Sequence, residues 1–322
     1  MRHRSGSQTR REMLLSMAGT ALAFTQTRDR IYNPLLAGHT SIWVVQAALE
    51  NKRLADILDE AFRGMERAGY SRIELTSEFL SPELKDRTLA SIRKQKLEPS
   101  IVFTGGPLYE RGAAEMARAQ VLEIARAMAG SDTRFINFSP AAKPDASAKT
   151  NAELDTQAYQ MNRMGQDLRK AGLGLMVHHH EAEMQDNARE WRYMRANTET
   201  GLVSFCLDVD VVTRAGLRPL TLMDEAGARL RNLHLRNPRH GVDQELLRDG
   251  DINMGEIARY LRQTSYDGYL TVELLYDKNT KRQYGLTEAL SLSRWYMQEV
   301  FGSRPGSPPV DMGPHVRERK NS

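Results

Sequence analysis

The chain alternates short apolar runs with longer amphipathic stretches, and no linker interrupts this pattern between about residues 35 and 300. Short apolar runs with polar ends are typical of buried strands, whereas apolar positions spaced by three and four predict helices. Eight segments are predicted as strands: residues 38–45, 71–75, 99–103, 134–138, 173–178, 203–208, 230–236 and 268–274.

Helices are predicted between these strands. Apolar positions recur at helical spacing from residue 54 to residue 65, and Gly69 follows as a stop signal. Further helices are predicted at about 81–95, 110–128, 151–171, 186–197, 219–229, 254–261 and 284–300. Strands and helices that alternate in this way favour parallel strands with right-handed crossovers. The expected fold is a single-domain α/β (β/α)8 TIM barrel over residues 35–300. An open doubly wound sheet is the alternative, but no G-x-G-x-x-G motif follows the first strand to favour it.

Both ends of the chain differ from the middle. "TRREMLL" (9–15) places paired arginines before a short apolar run, and "ALA" (21–23) offers a small-residue cleavage site. This pattern resembles a twin-arginine export signal, so residues 1–30 are predicted to be a signal peptide and flexible N-terminus. The alternative is a disordered basic N-terminus. The mature protein is expected to be periplasmic or secreted, with no membrane contact beyond export. Residues 303–322 are rich in Pro, Gly and charge, which predicts a disordered tail.

Charge and cysteine content narrow the possible functions. The formal net charge is +4, and four arginines and one glutamate in the first twelve residues supply most of it. The remainder is nearly neutral, so nothing in the sequence indicates the basic surface that nucleic-acid binding requires. Cys206 is the only cysteine, which excludes an intrachain disulfide, a Cys-rich zinc site and an iron–sulfur cluster.

Ionisable side chains recur near the carboxyl ends of the predicted strands. They are His39, Glu74, His178, His179, His180, Asp208, His234 and Glu273. Strand ends in a barrel meet at one mouth, where catalytic groups lie. Because side chains alternate along a strand, His178 and His180 face one side and His179 the other. Imidazole and carboxylate ligands suit a divalent ion of the Mn, Mg, Co or Zn type. Such an ion can stabilise the enediolate that forms when a sugar C–H next to a carbonyl is deprotonated.

The chain resembles the xylose isomerase-like TIM barrel superfamily of sugar phosphate isomerases and epimerases over about residues 35–300. The segments that carry the likeness are "RAGYSRIEL" (67–75), "VHHHEAEM" (177–184), "FCLDVDVVTRAG" (205–216), "LRNLHLRNP" (230–238) and residues 248–274. The resemblance implies that Asp208, His234 and Glu273 bind the metal. It also implies that Glu74 faces the substrate. His178 occupies the position of the fourth ligand, which is a glutamate in many members.

Two departures from the family pattern bear on the reaction. His178 replaces a glutamate, so symmetric epimerisation by two glutamates is not expected. The histidine-rich branch of the superfamily is similar to inosose dehydratases and other lyases that act on oxidised sugars. Arg236 and Asn237 replace a Lys–Asp pair, and Arg236 keeps a cation that can orient a substrate oxygen. Strand periodicity does not decide whether His178 or His180 is the ligand.

The expected function is a metal-dependent sugar isomerase or epimerase. Glu273, His178 or His180 would transfer the proton, and Glu74, His180, Arg236 and His39 would contact the substrate. A lyase or dehydratase acting on a keto sugar, glycoside or cyclitol is the alternative, and a metal-dependent hydrolase is a weaker one. A secreted carbohydrate-binding barrel without turnover is the non-enzymatic alternative. The expected partner is a small carbohydrate, with a homodimer as a further expectation.

Overall fold

The computed structural model describes residues 32–302, which form a closed barrel of eight parallel strands in sequence order. The predicted (β/α)8 barrel is therefore confirmed. The predicted export signal and tail lie outside the described residues. The strands are β1 Leu35–His39, β2 Arg72–Thr76, β3 Glu98–Gly106, β4 Phe135–Pro140, β5 Gly174–Val177, β6 Val203–Asp208, β7 Leu230–Leu235 and β8 Tyr269–Val272.

Ten α-helices surround the described barrel. They are α1 Ser41–Leu49, α2 Leu54–Arg67, α3 Lys85–Lys94, α4 Arg111–Ala127, α5 Asn151–Lys170, α6 Glu181–Asn197, α7 Val209–Arg214, α8 Pro219–Ala226, α9 Met254–Gln263 and α10 Leu286–Phe301. Their buried faces cover the strands, as the buried Ile57, Leu58 and Phe62 of α2 illustrate. None of the helices within residues 32–302 is long and apolar enough to cross a membrane.

The two faces of the strands contribute to two different apolar clusters. One set packs against the helices and includes Val102, Leu175 and Phe205. Their strand neighbours form a second cluster inside the barrel, made of Leu35, Ile101, Phe135, Met176, Cys206 and Tyr269. Because side chains alternate along each strand, the residues that follow at steps of two also face inward. This periodicity directs the polar residues at the strand ends towards the barrel mouth.

The first strand differs from its prediction. A strand was expected at residues 38–45, but β1 ends at His39 and Ser41–Leu49 is helical. The apolar run from Ile42 to Val45 fits a short buried strand and a helix equally well. Ile42, Trp43, Gln46 and Ala47 are buried, at spacings of one, three, four and five that define a helical face. His39 is consequently the last residue of its strand.

Helix α6 is interrupted one turn after it begins. Gln185 is extended, and Asp186, Asn187 and Ala188 have φ values of 50°, 60° and 57°. Three successive non-glycine residues in the left-handed region are strained, because each Cβ crowds the following carbonyl. The interruption separates the turn that follows the three histidines from the rest of the helix.

Candidate metal centre and active site

Four side chains predicted as metal ligands meet at the carboxyl ends of neighbouring strands. His178 follows β5, Asp208 ends β6, His234 lies in β7 and Glu273 follows β8. Each offers one ligand atom, and these four atoms lie within 4.8 Å of one another. The structure thus brings His178 rather than His180 into the group with the other three residues.

His178 offers two free ring nitrogens. Its backbone N–H donates to the carbonyl of Phe138 at 2.9 Å, which continues the strand ladder and fixes the residue. The side chain is 2% exposed, and neither ring nitrogen has a hydrogen-bond partner among the described residues. A buried imidazole without partners is unfavourable, and a bound ion would satisfy it. Burial and the neighbouring histidines hold the pKa of His178 well below its ordinary value, so the ring is neutral and able to ligate.

The two carboxylate oxygens of Asp208 have different roles: one caps a helix and the other faces the candidate site. Oδ1 caps helix α7 by accepting from the backbone N–H groups of Asp210 at 2.8 Å and Val211 at 3.2 Å. Oδ2 lies 4.0 Å from Nε2 of His178 and 3.3 Å from Nε of Arg236. Burial raises the pKa of Asp208 to about 6, against the opposing effect of Arg236.

His234 bridges two carboxylates. Its Nδ1 lies 2.9 Å from Oε2 of Glu273, and its Nε2 lies 3.0 Å from Oε2 of Glu74. Burial disfavours a charged ring, but Cys206, Glu74 and Glu273 outweigh it and raise the pKa of His234 well above its ordinary value. Burial likewise raises the pKa of Glu273, but His234 outweighs it and the pKa is lowered.

Glu74 lies inside the barrel, where it is fully buried. Its Oε1 accepts from Asn137 at 2.7 Å, and its Oε2 accepts from Asn232 at 2.9 Å and from Thr271 at 3.1 Å. Burial would raise the pKa of Glu74, but His234 outweighs it and holds the pKa at about 2. Both oxygens are occupied by protein donors, so Glu74 orients His234. Contact between Glu74 and substrate stays a prediction.

Replacing Glu74 with glutamine is expected to destabilise the barrel. The new amide nitrogen would replace one of the two oxygens and face the donor of either Asn137 or Asn232, which leaves buried groups unpaired and costs roughly 2–4 kcal/mol. Urea denaturation of metal-free protein measures the change. The matched control is Glu78→Gln, since Glu78 is exposed in the turn directly after the same strand. Equal unfolding free energies for the two variants would contradict this role.

His180 directly precedes helix α6 and is exposed. Its Nδ1 lies 2.8 Å from Oγ of Ser139 at the end of β4, and its backbone N–H donates to Glu183 at 2.7 Å. Partial burial lowers the pKa of His180, which Glu273 opposes. One ring nitrogen is therefore fixed by Ser139, and the other remains available to a ligand.

His179 stacks on His178, with the two ring centroids 5.5 Å apart, and so lies close to the site. The ring is buried and its Nε2 accepts from the backbone N–H of Asp208 at 3.0 Å. A backbone donor at Nε2 leaves the proton on Nδ1, so His179 is neutral. His179 thus links the end of β5 to Asp208 on β6.

Two further predicted contacts, His39 and Arg236, lie around the mouth together with the ring of Phe103. His39 is buried, its Nδ1 accepts from the backbone of Ser41 at 3.0 Å, and its Nε2 lies 3.7 Å from Glu74. Arg236 pairs with Asp208 and with Asp210. Phe103 is partly buried, with its ring centroid 5.2 Å from His39 and 5.3 Å from His178.

Several residues of this site have no clear signal in the sequence. They are Asn137, Ser139, Asp210, Asn232 and Thr271. All except Asp210 lie within predicted strands or directly after one, where a small polar residue is unremarkable. Period-two alternation from Asn137 to Ser139, and from Asn232 to His234, is the one signal that could have directed them inward.

The residues present fit a divalent ion. Two imidazoles and two carboxylates form a donor set typical of such ions, and the free nitrogens of His178 lie within it. The identity of the ion and its binding remain proposals.

A buried ionic cluster surrounds Glu183, the residue that accepts from the backbone N–H of His180. Lys149 donates to Glu190 at 2.6 Å and lies 3.9 Å from Oε1 of Glu183. Gln157 also donates to Glu190, at 2.7 Å. Burial, together with Glu190, raises the pKa of Glu183 to about 7. The Glu183 charge is therefore only partly compensated.

Replacing Glu183 with glutamine is expected to stabilise the protein above pH 7 and to have little effect below pH 4.5. Between pH 4.5 and pH 7, a carboxyl whose pKa is raised by folding binds more protons in the folded state than in the unfolded state. Its contribution to stability is therefore complete below the unfolded pKa and is lost as pH rises through the folded pKa. The expected gain is roughly 1–3 kcal/mol. Unfolding free energies across pH measure it, with the exposed Glu181→Gln as control. An equal offset at every pH would contradict the assignment.

Comparison with known proteins gives the fold a family. A model of the xylose isomerase-like TIM barrel family matches residues 62–295. The inosose dehydratase of Mesomycoplasma hyopneumoniae is 24% identical over 243 residues, which cover 67% of this chain and 80% of that protein. The inosose dehydratase of Clostridium perfringens is 25% identical over 139 residues, covering 38% of this chain. The matched stretch spans about half the length of that relative, 47%.

Solved structures show the same architecture at low identity. D-Allulose 3-epimerase from Methylomonas sp., in complex with D-allulose, has a TM-score of 0.68 at 13% identity and covers 84% of this chain and 98% of its own. A sugar phosphate isomerase/epimerase from Parabacteroides distasonis has a TM-score of 0.64 at 16% identity, covering 84% and 96%. At these identities the likeness shows the fold alone. With the family match over most of its length, the chain belongs to the xylose isomerase-like TIM barrel family.

Proposed function

We propose that this protein is a divalent-metal-dependent enzyme that moves a proton on a sugar or cyclitol at the carbon next to a carbonyl. The observation that carries the proposal is the donor set of the buried His178, Asp208 and His234 with the partly buried Glu273, and the exposed His180 beside it. These four residues would hold the ion. When bound, the ion would polarise the substrate carbonyl and so make the neighbouring C–H more acidic.

His180 and Glu273 are the proposed proton-transfer groups. The lowered pKa of His180 keeps its ring neutral near pH 7, and Ser139 holds one nitrogen so that the other can accept a proton. Glu273 is ionised, and its Oε2 is oriented by Nδ1 of His234. In an isomerase, one of these groups would carry the proton between adjacent carbons.

Phe103, Arg236 and His39 are proposed to position the substrate. The partly buried ring of Phe103 offers an apolar surface for one sugar face. Arg236 is 14% exposed and can donate to a substrate oxygen beside Asp208. The Nε2 of His39 has no hydrogen-bond partner among residues 32–302, which leaves it free to donate.

A lyase reaction is the second candidate. The curated relatives reported above are inosose dehydratases, and the two proposed proton-transfer groups differ in kind. An imidazole and a carboxylate suit elimination, in which one group removes the proton and the other protonates the leaving hydroxyl. A symmetric exchange between two glutamates has no counterpart here, since His178 stands in the β5 position.

The test is proton exchange in deuterated water. Purified full-length protein with added Mn²⁺ is incubated with a panel of ketoses, keto glycosides and cyclitol ketones, and products are followed by NMR and mass spectrometry. An isomerase or epimerase incorporates deuterium and forms a new isomer, whereas a lyase forms a product that has lost water. Absence of exchange and elimination with every compound would contradict the proposal and favour a carbohydrate-binding barrel.

We also propose that the protein is exported, a proposal supported by the arginine pair and apolar run in residues 9–23. Replacing Arg10 and Arg11 together with lysine is expected to retain the protein in the cytoplasm, because the twin-arginine route reads the guanidinium pair. Cell fractionation measures the distribution. Replacement of Arg2 and Arg4 with lysine is the matched control. Equal export of both variants would contradict the assignment.

A further inference from the structure

Cys206 lies inside the barrel below the candidate metal centre. It is in β6, two residues before Asp208, and it is fully buried. Its sulfur lies within 4.8 Å of ligand atoms of His178 and His234. The described part of the chain therefore contains a sulfur-containing donor set that shares two imidazoles with the set at the mouth.

The state of His178 is a second, independent observation. Both of its ring nitrogens lack a hydrogen-bond partner among the described residues, although the residue is only 2% exposed. The oxygen donors Asp208 and Glu273 belong to the mouth set, whereas Cys206 supplies the sulfur. His178 thus offers unpaired nitrogens to either set.

We propose that Cys206, His178 and His234 form a second site, which binds a thiophilic divalent ion such as Zn²⁺ or Cd²⁺. Thiolate and imidazole ligands select soft and borderline ions, whereas Mn²⁺ and Mg²⁺ prefer the carboxylates of Asp208 and Glu273. Binding forms one metal–sulfur bond and two metal–nitrogen bonds, and it releases the thiol proton of Cys206 and one ring proton of His234 to solvent. The chemistry of the ion decides which of the two sets it occupies.

The two sets compete because both need His178 and His234. A thiophilic ion at Cys206 would remove two of the four ligands from the mouth. It would therefore inhibit an enzyme that works with Mn²⁺. This regulatory consequence rests on the proposed function, whereas binding of the thiophilic ion does not.

The test is a titration of Cd²⁺ into chelator-treated full-length protein, followed by the ultraviolet charge-transfer band of cadmium thiolate. Cys206 is the only cysteine, so any such band arises from it. The wild type and Asp208→Asn, which removes a charge from the mouth set and keeps the cap of helix α7, are expected to show the band at stoichiometric Cd²⁺. Cys206→Ser and Cys206→Ala, checked for folding by circular dichroism, are expected to lose it. X-ray absorption spectroscopy of the Cd²⁺-loaded wild type tests the site without any variant. Sulfur and nitrogen atoms are expected as neighbours of the ion.

No band in the wild type at saturating Cd²⁺, or equal Cd²⁺ affinity in the wild type and a folded Cys206 variant, would overturn the proposed site. If Mn²⁺-dependent turnover exists, Cd²⁺ is expected to inhibit the wild type more strongly than Cys206→Ser, each relative to its own activity. A band without turnover on any substrate supports the site and contradicts the proposed function. Turnover without a band supports the function and contradicts the site.

Discussion

Asp208→Asn is expected to abolish binding of the divalent ion at the mouth and to lower activity by about 10³-fold or more, because the ion contributes several kcal/mol to the transition state. The substitution removes the charge of an oxygen that faces His178 and Arg236. Calorimetric titration with Mn²⁺ measures the affinity, and the deuterium-exchange assay measures the activity.

The choice of asparagine separates loss of the ion from loss of the fold. An asparagine oxygen can still accept from the backbone of Asp210 and Val211 and so cap helix α7, whereas alanine cannot. We therefore expect Asp208→Asn to lower the unfolding midpoint of the metal-free protein less than Asp208→Ala does. Wild-type Mn²⁺ affinity in Asp208→Asn would show that Asp208 is not a ligand.

His180→Ala is expected to lower kcat by about 10²–10⁴-fold while Mn²⁺ affinity stays unchanged, because it removes a proton-transfer group and no ligand of the mouth set. Ser139→Ala is expected to cause a smaller loss and to shift the pH–rate profile, since Ser139 contacts Nδ1 of His180. The control is Glu181→Gln, an exposed neighbour. A parallel loss of Mn²⁺ affinity in His180→Ala would make His180 a ligand instead.

The sequence predicts the barrel well because each strand is short, apolar and closed by polar residues. The predicted range of β6, residues 203–208, agrees with the observed strand, and it places Asp208 at the mouth. Parallel topology then brings His178, Asp208, His234 and Glu273 to one end, although their partners lie far away in sequence. Their convergence follows from strand ends and needs no knowledge of side-chain geometry.

The interior network could not be predicted in the same way. Glu74 receives hydrogen bonds from Asn137 and Thr271, which lie 63 and 197 residues further along the chain. Such contacts depend on the register between strands, and β2 shifts its register against β3 between Arg72 and Glu74. Uncharged polar residues within strands also look alike whether they face the barrel interior or the helices. Local pattern therefore predicted the ionisable residues and missed the groups that hold them.

The proximity of Cys206 to the site could not be predicted from the sequence either. In the sequence it is a single cysteine within an apolar run, which is typical of core packing. Only the closed barrel places its sulfur near His178 and His234. A sequence-based ligand set of imidazoles and carboxylates thus omitted the thiol of Cys206.

The central claim is that His178, Asp208, His234 and Glu273 hold a divalent ion. Its most direct test is the metal content of the full-length protein, purified without chelator and measured by mass spectrometry beside His234→Ala and Asp208→Asn. The account predicts a near-stoichiometric divalent ion in the wild type and its loss in both folded variants. A wild type that holds no ion even after Mn²⁺, Co²⁺ or Zn²⁺ is added back would contradict the account.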